Sequence, residues 1–204
     1  MLYRKFIDNF KRRLDVYDIS EISEDSMRYD FFSAFLLSGV STEQIQLEYL
    51  HDNQYLVKKE IDLIVHLANS KIAFELKYFR TIPSDKNDTT NQMGKFIVDI
   101  LKLKHLSNSI DARYFLFLTD QKMHKYLQKE SNGFSKLVTS HGGEKFSISA
   151  GDKTGKHYEK AISDKIPNAL NPFKSSIKLK KITYHEIGHE HHIACFKVIV
   201  WINA

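Results

Sequence analysis

Residues Glu60 to Phe79 read EIDLIVHLANSKIAFELKYF. Two apolar, β-branched runs flank the small polar stretch Ala68-Asn69-Ser70. The pattern predicts two core strands, Glu60 to Leu67 and Lys71 to Phe79, joined as a tight hairpin. A polar loop follows, RTIPSDKNDTTN, with Pro83 inside it. From Gln92 to Leu106 the residues Phe96, Ile97, Ile100, Leu101 and Leu103 recur at helical spacing. Ala112 to Asp120 is then a strongly apolar strand. A helix of that length between two strands suits a crossover, which makes the sheet mixed and the fold class α/β.

The upstream segment completes the core. MLYRKFIDNFKRR reads as an amphipathic helix with Phe6 and Phe10 four apart. Ser23 is placed as an N-cap, and Met27, Phe31 and Phe35 then recur every four residues until Gly39 ends the helix. Ile45 to Leu50 alternates as a strand. The expected order is therefore helix, three strands, helix, strand (αβββαβ), a central mixed β-sheet flanked by helices. Beyond Gln121 the pattern weakens: a helix near Lys122 to Lys129, a short strand KFSISA, then a loop rich in lysine and glycine up to Pro172. SIKLKKITYHEIG, with one irregular step after Leu179, and HHIACFKVIVWI predict a C-terminal β-hairpin. No repeat, low-complexity tract or linker divides the 204 residues. The expectation is one domain, 1–204, with a core over about 20–120 and an elaboration over 121–204.

Composition narrows the functional classes. A formal net charge of +5 permits a polyanionic partner without requiring one. Cys195 is the lone cysteine, so no disulfide framework exists within the chain, in keeping with a cytoplasmic location. Its apolar flanks make it a small strand residue rather than a nucleophile. No apolar run is long enough to span a membrane and the first residues lack a signal-peptide apolar segment, so no membrane partner is expected.

Two motifs compete for the chemistry. His185-Glu186-Ile187-Gly188-His189 fits H-E-x-x-H, which on a helix puts two imidazoles on one metal and a glutamate beside it. The flanks IKLKKITY and IACFKVIVW are β-forming, and on a strand residues four apart lie about 13 Å apart. The sequence favours a solvated, histidine-rich hairpin tip, with a zinc protease as a remote alternative. The other motif is Asp62, followed thirteen residues later by Glu75-Leu76-Lys77. Glu75 and Lys77 project to one face of their strand, and the hairpin brings Asp62 alongside. Two carboxylates and an ammonium inside core strands cost several kcal/mol unless they are paired, hydrated or metal-bound. Hard carboxylate oxygens suit Mg²⁺, which activates water for phosphodiester hydrolysis. A neighbouring lysine holds or deprotonates that water and offsets negative charge.

Asp62 followed by Glu75-x-Lys77 on adjacent strands resembles the PD-(D/E)XK nuclease superfamily, the restriction-endonuclease-like fold, as does the order of elements over residues 20 to 120. Ile61 stands where the motif's proline would be. The resemblance implies a Mg²⁺-dependent deoxyribonuclease (Mn²⁺ able to substitute) in which Asp62 and Glu75 bind the metal and Lys77 serves the water. It also implies an acid on the first core helix. Glu24 is chosen over Asp25 and Asp30, because it shares the stripe of Met27, Phe31 and Phe35. Gln92 and Lys95, where the second core helix begins, are secondary candidates for touching phosphate or water. Glu48 and Glu60 are lesser ones, and Asp99 and Lys102 are read as solvent-facing or paired. The implied partner is DNA, in a restriction or other defence role, with RNA an alternative and a homodimer required to cut both strands. A non-catalytic nucleic-acid-binding module of the same fold is the rival reading.

Overall fold

The computed structural model describes residues 2–50, 60–79, 89–132, 134–148, 177–188 and 191–199. Helices α1 (Leu2–Val16) and α2 (Glu24–Leu36) precede strands β1 (Ile45–Leu50), β2 (Glu60–Leu67) and β3 (Ser70–Phe79). Helix α3 (Thr89–Lys104) leads to β4 (Ala112–Asp120), then α4 (Gln121–Gln128), α5 (Ser135–Thr139) and β5 (Lys145–Ile148). The pair β6 (Ile177–Gly188) and β7 (His191–Ile199) completes the described chain. The seven strands form one sheet in the order β1-β2-β3-β4-β7-β6-β5. Only β3 and β4 pair in parallel, as a helical crossover between them requires. The α/β class with a mixed sheet and flanking helices is thus observed. Among the described residues no helix is long and apolar enough to cross a membrane.

Local chemistry explains the element ends. Ser23 accepts the N–H of Ser26 at 3.2 Å and caps α2. Gly39 follows α2 with φ of +88°, a left-handed geometry that costs glycine little. Asp120 ends β4 and caps α4 by accepting the N–H of Met123 at 2.8 Å. Between β2 and β3 only Ala68 and Asn69 turn, and Leu67 pairs with Ser70.

Apolar layers cover both faces of the sheet, which is why its central strands are nearly continuous in hydrophobicity. On one face α1 and α2 bury Leu63, Val65, Phe74, Leu76, Leu116 and Leu118, with Phe31 edge-on to both Phe6 and Phe74 at 5.2 Å. On the other face α3, α4 and α5 bury Ile64, Ala73, Phe79, Phe115, Phe117 and Phe196, with Phe96 4.6 Å from Phe115.

Three features differ from the sequence expectation. The C-terminal strands do pair antiparallel as expected, but they are joined to the core: β7 also pairs antiparallel with β4 along Tyr114–Asp120 and carries the sheet onward. Such non-local pairing leaves no local pattern to read. Helix α3 starts at Thr89, earlier than its first apolar residue. The five-residue α5 is too short for a periodic signal. The irregular step after Leu179 is a register shift between Lys181 and Thr183. The 80–88 part of the expected Pro83 loop, the lysine-rich loop over 151–172, the last residues of KFSISA and His189 lie outside the described residues.

Candidate functional site

The site begins where β2 and β3 part. Their paired register runs from Leu67↔Ser70 to Leu63↔Phe74 and no further, while β3 stays bound to β4 as far as Phe79↔Thr119. At the first unpaired step Asp62 turns its own carboxylate to β3, and Oδ2 accepts the N–H of Leu76 at 2.7 Å. Across β1, Glu48 sits between the pairs Leu47↔Leu63 and Tyr49↔Ile61, opposite Asp62. Among the described residues it alone, apart from glycines, has positive φ, +49°. That geometry costs a side chain on the order of 1–2 kcal/mol. Its consequence is visible in packing. Ile45 joins the α1/α2 layer but Tyr49 the α3 layer, and Leu63 and Ile61, two apart, also go to opposite layers. Regular strands do not do this. Both strands rotate at Glu48 and Asp62, and the rotation opens the sheet.

The opening is a cleft of about 140 Å³ reached by both helical layers. Helix α2 supplies Glu24 and Arg28, β1 Glu48, β2 Glu60 and Asp62, β3 Glu75, Leu76 and Lys77, and α3 Asp99 and Lys102. Six carboxylates face three cations, a formal surplus of three negative charges.

Salt bridges knit these groups together. Glu75 is 2% exposed, and its Oε1 lies 2.5 Å from the Lys102 ammonium. Lys102 also reaches Asp99 at 3.1 Å and donates to the Glu60 carbonyl at 3.0 Å. Lys77 stands 2.8 Å from Glu24 and 4.0 Å from Asp99. Arg28 lies 2.5 Å from Asp62, 3.0 Å from Asp25 and 3.5 Å from Glu24. Glu24 Oε2 further accepts the N–H of Tyr78 at 3.3 Å. Burial raises the Glu75 pKa well above the usual range, and the charges of Asp62 and Asp99 add to it. Burial works against Lys77, yet Asp99, Glu24 and Asp62 outweigh it and hold the ammonium above its ordinary value. Lys102 is raised too, with Asp99 and Glu75 overcoming its desolvation.

The structure therefore brings Asp62, Glu75, Lys77 and Glu24 to one cleft, with Glu48 and Glu60 at its wall. Asp30 does not join them: it forms a two-pronged bond with Arg13 at 2.7 Å per prong and clasps α1 to α2. Gln92 and Lys95 do not line the cleft, and Lys95 is exposed. At about 1.5 Å of rise per residue they sit roughly 10 Å and 6 Å up the helix from Asp99. In place of those two, α3 contributes Asp99 and Lys102, one turn apart and paired at 3.1 Å as the sequence reading allowed, with Lys102 buried and Asp99 half-buried. The legible signal was that residues 96, 97, 98, 100, 101 and 103 are apolar almost all round. A helix of that kind is buried, so its polar residues are buried too. Arg28 was missed outright, since an arginine four residues after a glutamate reads as an exposed helix pair.

Carboxylate oxygens with surplus negative charge in a half-buried cleft are the donor set a hard divalent cation takes. As they stand, no three acids or histidines among the described residues converge on one point, because Asp62, Glu75, Glu24 and Asp99 each turn to a basic side chain. The cleft fits a cation in charge and ligand type, with those partners giving way.

The first four residues of the histidine motif, His185 to Gly188, are on strand β6, with His185 and Glu186 both exposed. The helix a zinc protease needs is absent there. The adjoining histidines are not a solvated tip, however. His191 is buried and shares a 2.9 Å hydrogen bond with the Tyr78 hydroxyl. His192 is buried and stacks on His124 with ring centroids 3.7 Å apart. Its Nδ1 accepts from the Tyr184 hydroxyl and its Nε2 donates to Gln121 Oε1, each at 2.9 Å. The register of β7 against β4 turns these rings inward, a fact the local sequence does not carry. Compared with protein-family models, curated proteins and solved structures, the chain matches none.

Proposed function

We propose that this protein is a divalent-metal-dependent deoxyribonuclease of the PD-(D/E)XK type. The observation that carries the reading is the meeting of Asp62, Glu75 and Lys77 in one cleft with a surplus of negative charge. The order α2-β1-β2-β3-α3-β4, with β3 and β4 parallel, is the order that the resemblance implies. Asp62, Glu75 and Glu24 would hold Mg²⁺, or Mn²⁺ in its place. When bound, such an ion supplies an acidified water and neutralises charge on the phosphate. Lys77 orients that water and offsets charge on the phosphorus oxygens. Its raised pKa suits a fixed cation better than a proton acceptor, which would need a lowered one. Lys102, itself held by Asp99, pairs with Glu75 and fixes its position.

Surface charge supports a polyanionic partner. Lys145, Lys180 and Lys197 stand directly opposite one another across β5, β6 and β7. Like charges in register repel unless an anion lies over them. Strands about 4.8 Å apart give the row a length near 10 Å, a fit for phosphate oxygens along a duplex.

A non-catalytic nucleic-acid-binding module is the second reading, favoured by the bonds that Arg28 and Lys102 make to Asp62 and Glu75. Supercoiled plasmid with Mg²⁺, beside an EDTA control, separates the two. We expect nicking or linearisation by the wild type and by Glu186→Ala, and at least a hundredfold loss in Asp62→Ala and Lys77→Ala. Cleavage that persists in both mutants refutes this site. Absence of cleavage of DNA and RNA by the wild type, with binding retained, supports the module.

A further inference from the structure

The cleft holds one cation whose place the nuclease reading does not explain. Arg28 reaches in from α2 and puts Nη2 on Asp62 Oδ1 at 2.5 Å, while Nη1 bonds Asp25. Its Nε is buried and has no hydrogen-bond partner. The guanidinium therefore spends one corner of its Nε/Nη2 edge on a carboxylate and leaves the other unused. That edge is the fork that takes two oxygens of one phosphate or carboxylate side by side. A single phosphate on it would satisfy the idle Nε and draw Nη2 off Asp62 at once.

We propose that Arg28 is a lock on Asp62 that a phosphodiester of the substrate releases. Resting on the metal-dependent reading above, the lock makes metal and phosphate bind cooperatively. With Arg28 on Asp62, a divalent cation competes with a guanidinium for the same oxygen. With Arg28 on phosphate, Asp62 is free and the cleft gains one negative charge for the cation. The coupling is reciprocal: whatever factor phosphate adds to metal affinity, metal adds to phosphate affinity. In the resting cleft Arg28 thus withholds Asp62 until a phosphate chain arrives, which ties metal loading to substrate.

Calorimetric titration of Ca²⁺, which takes the same oxygen ligands with looser geometry, tests this without turnover. Wild type, Arg28→Gln, Arg28→Lys and Asp62→Asn are each titrated alone and with a saturating 12-base-pair duplex. Circular dichroism checks that each variant is folded. We expect the duplex to tighten Ca²⁺ binding to the wild type about tenfold, within the range common for coupled sites. Arg28→Gln should bind Ca²⁺ about tenfold tighter than wild type without duplex, and the duplex should change it less than threefold. Arg28→Lys keeps the charge but not the fork, so it should bind Ca²⁺ weakly and show a reduced duplex effect. Equal Ca²⁺ affinity in wild type and Arg28→Gln, or an undiminished duplex effect in Arg28→Gln, overturns the lock. If Asp62→Asn alone abolishes binding while the Arg28 variants match wild type, the metal site stands and the lock falls. Absence of Ca²⁺ binding by every form, with or without duplex, sinks both.

Discussion

Glu75 and Lys102 form the least exposed ion pair in the molecule's described part, with side chains 2% and 3% accessible. At this burial neither partner tolerates loss of the other. Lys102→Met should destabilise by about 3–5 kcal/mol, because it leaves a carboxylate buried without its cation. The double variant with Glu75→Gln should recover much of that loss, which urea unfolding of the four proteins measures as a double-mutant cycle. Burial already holds the Glu75 pKa above its ordinary range, and Lys102→Met removes the charge that lowers it, so the variant's Glu75 should be raised further. The penalty is absent below the unfolded carboxylate range and grows as pH rises through it, so the variant should gain on wild type upon acidification. Additive single effects at every pH would mean that the two do not interact. Asp62, Glu75 and Lys77 stood out in sequence because charges amid LIV and IAF are costly unless paired, hydrated or metal-bound, and the structure does pair each of them. Arg28 was hidden because its partner, Asp62, is 34 residues away and local spacing offers it Glu24 instead.

At the scale of elements, α4 is tied to β6 and β7 by a polar stack. His124 lies on His192, and Tyr184 contacts both rings. Lys181 sits 4.5 Å over the Tyr184 ring and donates to the carbonyls of Val138 and Ser140 at the end of α5. Burial first, then His192 and Lys181, pushes His124 down to about 4. Folding thus keeps it neutral, whereas the unfolded chain binds a proton below about 6.5. Stability from this site is full above 6.5 and is lost as pH falls toward 4, by on the order of 3 kcal/mol. His124→Phe should remove that slope. Denaturant midpoints of both proteins at pH 7, 5.5 and 4.5 check it, and parallel curves would show that the stack is not kept neutral. The strand pattern around YHEIGHEHHI was legible and was enough to dismiss a helix. Which histidines turn inward was not, since that depends on where β7 docks.

Over the whole molecule, charge is divided. The chain carries +5, yet its cleft carries a surplus of three negative charges. On the proposed function, a phosphate chain would be held by the basic surface, and inside the cleft Arg28 would be its first cation. The two functions therefore belong to different residues and separate by experiment. The lysine row lies in strands that continue the sheet past β4, beyond the core that sequence order made legible. Its alignment arises from the pairings of β6 with β5 and β7, which no single segment reveals. For duplex DNA each phosphate contact contributes about −0.9 to the slope of log affinity against log salt. Replacing Lys145, Lys180 and Lys197 together by glutamine should make the slope shallower by about 2 to 3, and weaken binding most at low salt. Anisotropy of a labelled duplex in EDTA between 50 and 200 mM salt measures this with catalysis silent. The same protein should keep the Ca²⁺ affinity of wild type in the absence of duplex, because the row contributes nothing to the cleft. An unchanged slope would put the phosphate track on another surface and leave the cleft chemistry as it stands. A slope changed along with Ca²⁺ affinity would show instead that the two surfaces are not independent.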